Sequence, residues 1–257
     1  FGYQRVDLRL GRGSNPGIIK AEDQPRGEDD NLRAFFAATR RGMIETLRYQ
    51  AEARRGDLLW NPVASARRVI EIVEAIRPQQ ILVDHLAFGA TLGLQAAGIP
   101  YHDVVLGHPT ALPVGDEVYG GLSSWPSCCT PDVAELGGLH ALCRSVTEQF
   151  TDDWNEASRQ VATGASSVDD AFRAHGGHVM FNYPAELHDS ARTELLQASM
   201  PGATFLGASV RSDQAHTDVI EWLQRAGERP LVYVSFGSFL SARSDVLATV
   251  VASLRRL

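Results

Sequence analysis

The residues from Leu231 to Asp245 combine a short apolar run, a Gly-Ser break and a serine-rich entry into a second apolar-periodic segment. A strand that stops at small residues and passes into a capped helix leaves backbone N–H groups pointing outward at the positive helix end, where a phosphate binds. Ser235, Gly237, Ser238 and Ser241 add hydroxyls and close backbone approach. No Gly-Lys-Ser/Thr follows, so the pattern is not a P-loop. Strand–Gly–helix turns also occur throughout α/β proteins, so a turn with no ligand stays open beside the phosphate reading. The second candidate is Asp84, which directly follows Ile81-Leu82-Val83. A carboxylate at the carboxyl end of a buried parallel strand sits where open α/β sheets place ligands. The plainer alternative is an Asp that caps the following helix.

The remaining candidates carry less. His85 adjoins Asp84, but adjacent strand residues point to opposite faces, so the two should not share one pocket and His85 reads as a structural histidine. His102 with Asp103, and His175 with His178, lack a third ligand at metal spacing, and a surface or strand-end role is expected instead of zinc. Ser-Phe-Gly-Ser is not the nucleophile elbow Gly-x-Ser-x-Gly, which disfavours a serine hydrolase. Arg40-Arg41 and Arg54-Arg55 read as a solvated helix face.

These residues need elements to position them, and the chain punctuates itself clearly. Residues 11–30 are Gly-, Ser- and charge-rich and read as a surface loop. Phe35, Phe36, Met43 and Leu47 then recur at helical spacing. Asn61-Pro62 opens a second helix along Val63, Ala66, Ile70 and Val73, closed by Pro78. Ile81-Leu82-Val83 has the continuous apolar character of a strand covered on both faces. Gly89 to Ala97 is a small-residue helix ended by Gly98 and Pro100, and Val104-Val105-Leu106 is the next strand, completing a βαβ unit. Gly107 to Pro131 is a long Gly- and Pro-rich loop, of the kind that usually carries function. A long helix starts near Thr130-Pro131 and runs to Val161, with Gly137-Gly138 a candidate kink near its start. Ser167 and Asp170 resemble a capping box for a short helix ending before Gly176. Val179-Met180-Phe181 and Ala203–Leu206 read as strands. Residues 208–216 suit an interdomain linker. Thr217 to Ala226 reads as a helix ended by Gly227, Leu231 to Phe236 as a buried strand, and Ser241 or Ser244 as the cap of a last helix.

Composition bounds the answer. At 257 residues, 44% hydrophobic and 21% charged, the chain is an ordinary globular sequence long enough for one domain and part of another. Its formal net charge of -7 argues against a nucleic-acid or anionic-membrane surface, which would need clustered cations. Three cysteines, Cys128, Cys129 and Cys143, give neither an even disulfide framework nor a metal spacing, so a cytoplasmic setting is expected. No apolar run approaches the ~20 residues of a membrane helix.

The segment EWLQRAGERPLVYVSFGSF, Glu221 to Phe239, resembles the junction that opens the donor-sugar domain in the GT-B nucleotide-sugar glycosyltransferases of the UGT and macrolide-glycosyltransferase type. RPQQILVDHLAFGATLGLQAAGIPY, Arg77 to Tyr101, is similar to that family's acceptor-domain strand ending in Asp, its Ala/Gly-rich helix and its Gly-Ile-Pro. FLGASV, Phe205 to Val210, resembles the exit into the family's linker.

The resemblance implies an α/β chain of GT-B type with two Rossmann-like domains. Residues 1–207 would be the acceptor-binding domain lacking its first strand and helix, 208–216 the linker, and 217–257 the start of a truncated donor domain. It implies an inverting hexosyltransferase of natural-product biosynthesis, moving a sugar from a UDP or dTDP carrier to a hydroxyl of an apolar small molecule. A His base would deprotonate that hydroxyl, and Asp84 takes the position of the Asp that orients the base. Gly237 and Ser238 would contact the diphosphate, and Phe88, His108, Tyr119 and Trp125 would line the acceptor pocket, each with core or loop packing as the plainer reading. The family's Gly- and His-containing turn has no counterpart before Asp84, and its His-Cys-Gly donor signature would fall beyond Leu257, so the chain is expected to be catalytically incomplete. No cofactor and no metal are expected, because the helix end and hydroxyls take the diphosphate charge. Expected partners are the nucleotide sugar and the acceptor, without nucleic acid or a membrane span, and a homodimer is left open. A GT-B nucleotide-sugar epimerase and a non-catalytic glycosyltransferase-like binding protein are the alternatives.

Overall fold

The computed structural model describes residues 5–8, 10, 28–106, 109–122, 124–125, 130–207, 217–227, 230–235 and 243–255. The chain divides into two compact units, Phe1–Ser209 and Val210–Leu257. No helix among the described residues is long and apolar enough to cross a membrane.

The first unit is a mixed α/β structure around a small parallel sheet. Its elements in chain order are α1 (Glu28–Arg41), α2 (Met43–Asp57), α3 (Pro62–Ile76), β1 (Leu82–Asp84), α4 (Phe88–Ala96), β2 (His102–Val105), α5 (Val133–Val161), β3 (Val179–Phe181), α6 (Ser190–Ser199) and β4 (Thr204–Phe205). The strands stand in the order β1-β2-β3-β4 and every pairing is parallel. The register places Val83 beside Asp103 and Asp103 beside Val179.

Strand order that follows chain order has a consequence for burial. Right-handed crossovers between consecutive neighbours return each connecting helix to the same face of the sheet. Val83, His85, Asp103, Val105, Val179 and Phe181 are accordingly buried on that face. Leu82, by contrast, is 61% exposed, and β1 alternates exposed, buried, exposed. The expectation of a strand covered on both faces is therefore corrected: an apolar run mimics two-sided burial, but the described strands contain no reversal of order that would send a helix to the second face.

Capping chemistry sets the helix limits. The single helix expected from Phe35 to Leu47 is two, broken at Gly42, whose φ of 119° an L side chain rarely adopts. The first of them already begins at Glu28, inside the stretch read as a loop. α3 has Pro62 at its first position after Asn61 and ends at Arg77, directly before Pro78. The cap of α5 is Asp132, whose Oδ1 accepts from Ala134 N at 2.9 Å and Glu135 N at 3.0 Å. α4 is buried over most of its length and lies so close to α3 that a Cβ on Gly93 would come within 2.8 Å of Ala66 Cα and O.

The short helix expected from Ser167 does not form. Side chains of α5 take the backbone groups a helix would use: Asn155 bonds both Val168 N (2.9 Å) and Val168 O (3.0 Å), and Thr151 Oγ1 accepts from Ala171 N at 3.1 Å. The chain instead turns at Asp170, which accepts from Phe172 N and Arg173 Nε. The core of this unit is an aromatic cluster of Phe88, Phe150, Trp154 and Phe172, continued beneath the sheet by Val105, Leu112, Val179, Phe181 and Leu196.

The second unit holds α7 (Thr217–Ala226) and α8 (Ser244–Leu254). Residues 231–235 form no ladder, and Leu231, Val232 and Tyr233 are exposed, which corrects the expected strand. A parallel strand needs a neighbour, and no other strand exists among the described residues of this unit. The cap of α8 is Arg243, with no side-chain bond, so Ser244 does not cap it, and Ser241 lies outside the described residues. Arg243 instead pairs with Asp245 at 2.7 Å. The segment 208–216 also lies outside the described residues.

Candidate functional site

Asp84 ends β1 on the uncovered face, with its side chain at the surface. Its Oδ1 accepts from Leu86 N at 3.0 Å while its backbone O accepts from Ala87 N at 2.8 Å. The carboxylate thus shapes the turn into α4 without capping it, since the cap is Ala87 and has no side-chain bond.

His85 points the other way and is 1% exposed. Its Nδ1 donates to Asp103 Oδ1 at 3.2 Å, and the fully buried Asp103 also accepts from Gly176 N through Oδ2 at 2.5 Å. Nε2 of His85 has no hydrogen-bond partner among the described residues, and the ring lies edge-on to Phe88 at 6.3 Å. A carboxylate holding Nδ1 leaves Nε2 poised as in an acid-oriented base. Here that nitrogen is sealed in the core, so the pair joins β1, β2 and the approach to β3 and meets no solvent. Burial, then the nearby Asp103 charge, push the Tyr101 hydroxyl upward.

The aromatic residues expected to line an acceptor pocket do not all meet. Phe88 is 3% exposed and packs edge-on against Phe150 at 5.0 Å and Phe172 at 5.5 Å. Tyr119 stacks on Phe172 at 3.9 Å and lies beneath the Arg54 guanidinium, 5.0 Å from its ring centre. Both belong to the aromatic core, because partners from α5 and the 170–174 turn claim their faces. Trp125 is half-buried. His108, Gly237 and Ser238 lie outside the described residues. His178 bonds Thr204 Oγ1 at 3.0 Å, His175 Nδ1 donates to Gly176 O, and no group of metal-ligating side chains occurs among the described residues.

A cavity of about 510 Å³ does open at the carboxyl end of the sheet. Its walls are the loop after β2 (Val114, Asp116, Glu117, Val118 and Leu122), the α5 residues His140 and Arg144, and the first turns of α6 from Asp189 to Leu195. Two arginines set the loop. Arg192, 6% exposed, donates from Nε to Glu117 Oε1 at 2.6 Å and from Nη2 to Glu117 Oε2 at 2.8 Å and Leu112 O at 2.9 Å. Its Nη1 donates to His188 Nε2 at 3.0 Å. Arg173 Nη2 donates to Gly115 O and Glu117 O. Glu117 in turn accepts from Val114 N at 3.0 Å. This fork geometry fixes the wall in one conformation.

Sequence reasoning did not single out Arg192, Glu117 or Arg173, and treated Asp103 only as a neighbour of His102. Glu117 and Arg192 stand 75 residues apart, and no local spacing announces such a pair. No protein-family model matches the chain, and no curated protein matches it either.

Proposed function

We propose that the chain is part of an inverting GT-B-type glycosyltransferase that moves a sugar from a UDP or dTDP carrier to a hydroxyl of a small organic acceptor. The observation that carries the reading is Asp84: an exposed carboxylate at the carboxyl end of a parallel strand, inside the segment Arg77–Tyr101 that resembles the family's acceptor domain. The all-parallel sheet and the Trp222–Ser238 segment support the same reading.

In this reaction the acceptor oxygen forms a bond to the anomeric carbon as the carbon–oxygen bond to the diphosphate breaks. The nucleoside diphosphate leaves, and the hydroxyl proton passes to a His base. Asp84 acts on that base, orienting it and favouring its imidazolium form. His85 does not serve as the base, because its free nitrogen is buried. Phe88 and Tyr119, taken up by the aromatic core, do not line the acceptor pocket in this reading.

The test is Asp84→Asn in the complete enzyme, assayed for sugar transfer by mass spectrometry with UDP- and dTDP-hexoses. The expected loss is about 10²–10⁴-fold in turnover, with an unchanged melting curve. Undiminished turnover removes Asp84 from the mechanism, and no transfer by the unaltered complete enzyme from either carrier overturns the reading. Ser238→Ala should weaken calorimetric binding of the nucleotide sugar.

A further inference from the structure

We propose that the cavity at the carboxyl end of the sheet selects a small amphipathic molecule bearing a carboxylate, which Arg144 and His140 grip. The inference comes from following each charge on the cavity wall to its partner. Arg192 is spent: its Nε, Nη1 and Nη2 all donate to Glu117, Leu112 O or His188. Glu117 is neutralised by the same fork. Asp189 Oδ1 caps Arg192 N at 3.0 Å, but its charge has no cation partner among the described residues.

Arg144 and His140 differ, for neither makes a hydrogen bond or ion pair with any described residue. They stand four residues apart on α5, so they are neighbours on one helix face, and both line the cavity. A guanidinium beside an imidazole one turn away matches the two oxygens of a carboxylate, the guanidinium by a two-point contact and the imidazole by a single donated bond. The apolar wall of Val118, Leu122 and Leu195 receives the body of the molecule. The volume of about 510 Å³ is that of a drug-sized ligand site. Asp116, on the exposed turn of the loop, likewise has no cation partner among the described residues. It argues for a ligand whose charged end lies along α5 and away from the loop.

The proposal goes beyond the transferase reading, and binding can be measured without a sugar donor. The probes are naproxen, an arylpropionate with two fused rings, its neutral methyl ester, and the cationic naphthylmethylamine, each titrated calorimetrically into the full chain. Naproxen should bind about tenfold more tightly than its ester, the scale of one charge-assisted bidentate contact. Arg144→Gln should bring the acid-to-ester affinity ratio from about tenfold to about one, and His140→Gln should lower it about threefold. Unchanged far-ultraviolet circular dichroism and thermal melts show that the variants still fold. Equal binding of acid and ester, no binding of naproxen, or tighter binding of the amine that Asp116→Asn abolishes would each overturn the proposal. Failure of sugar transfer by the complete enzyme, with carboxylate selectivity intact, overturns the transferase reading alone.

Discussion

Replacing Arg192 with Met tests how the cavity wall is held. Methionine keeps an unbranched apolar stem and a good helix propensity, so the change isolates the guanidinium. The losses include two bonds to Glu117 at 2.6 and 2.8 Å, one to Leu112 O at 2.9 Å and one to His188 at 3.0 Å. What remains is a carboxylate whose side chain is only 19% exposed and retains one bond, from Val114 N. Removing one partner of a buried pair costs about 3–5 kcal/mol, and the partial access of Glu117 to water brings the figure to the lower end. Leu112, itself buried, loses a partner for its carbonyl, worth about 1 kcal/mol. The expected loss is therefore about 3 kcal/mol, measured by urea unfolding followed through near-ultraviolet circular dichroism. Adding Glu117→Gln to Arg192→Met should recover part of it, with a coupling of about 1.5–3 kcal/mol between the sites. A loss below about 1 kcal/mol, or simple additivity, would show that the pair behaves as an exposed one and that the wall does not depend on it.

Other perturbations follow from the same packing. Gly93→Ala places a methyl within 2.8 Å of the Ala66 backbone, where nothing flexible can yield, and should cost about 1–3 kcal/mol in a thermal melt. An unchanged melt would mean that α3 and α4 slide freely. Burial pushes the Cys143 thiol up, outweighing the neighbouring Arg54 and Arg144, so Cys143 should escape iodoacetamide at neutral pH in the native protein and react after unfolding. Equal labelling of Cys143 in both states, read by peptide mass spectrometry, contradicts this. In α8 the side-chain hydrogen bond from Arg243 holds the Asp245 carboxyl at about 2, below its usual 3.8. That contribution is complete above about 3.8 and disappears as pH falls through about 2. Asp245→Asn should abolish this small acid-induced loss of helix signal by circular dichroism, and an identical acid profile in the variant refutes the assignment.

The sequence disclosed those elements whose causes are local. Val179–Phe181 is an apolar run and forms a strand, while Thr217–Ala226 stops before a glycine as its composition requires. α6 escaped notice because of its two leucines only Leu196 is buried, and no periodic stripe marks it. The turn at 167–173 was misread because the competing hydrogen bonds come from Thr151 and Asn155 on another element. Residues 231–235 carry a strand's composition, but pairing needs a neighbour that composition does not provide. At the site, the surface position of Asp84 and the inward turn of His85 follow from strand alternation. Whether Phe88 and Tyr119 faced a ligand or a core was decided by Phe150 and Phe172, whose proximity no spacing reveals. The buried Asp103 likewise depends on Gly176, 73 residues away.

The linear succession of strands also imposes an order of assembly. β1 and β2 are joined through one short helix, so they can close early and locally, whereas β3 must wait for the long loop and the 29 residues of α5 to be accommodated. Each doubling of the connecting length adds about 0.6 kcal/mol to closure, on top of the work of packing that helix. Asp103 spans this divide, one oxygen held by the early His85 and the other by the late Gly176. Protection of the Gly176 amide against pulse-labelled exchange would therefore time the moment at which the second half of the sheet locks onto the first.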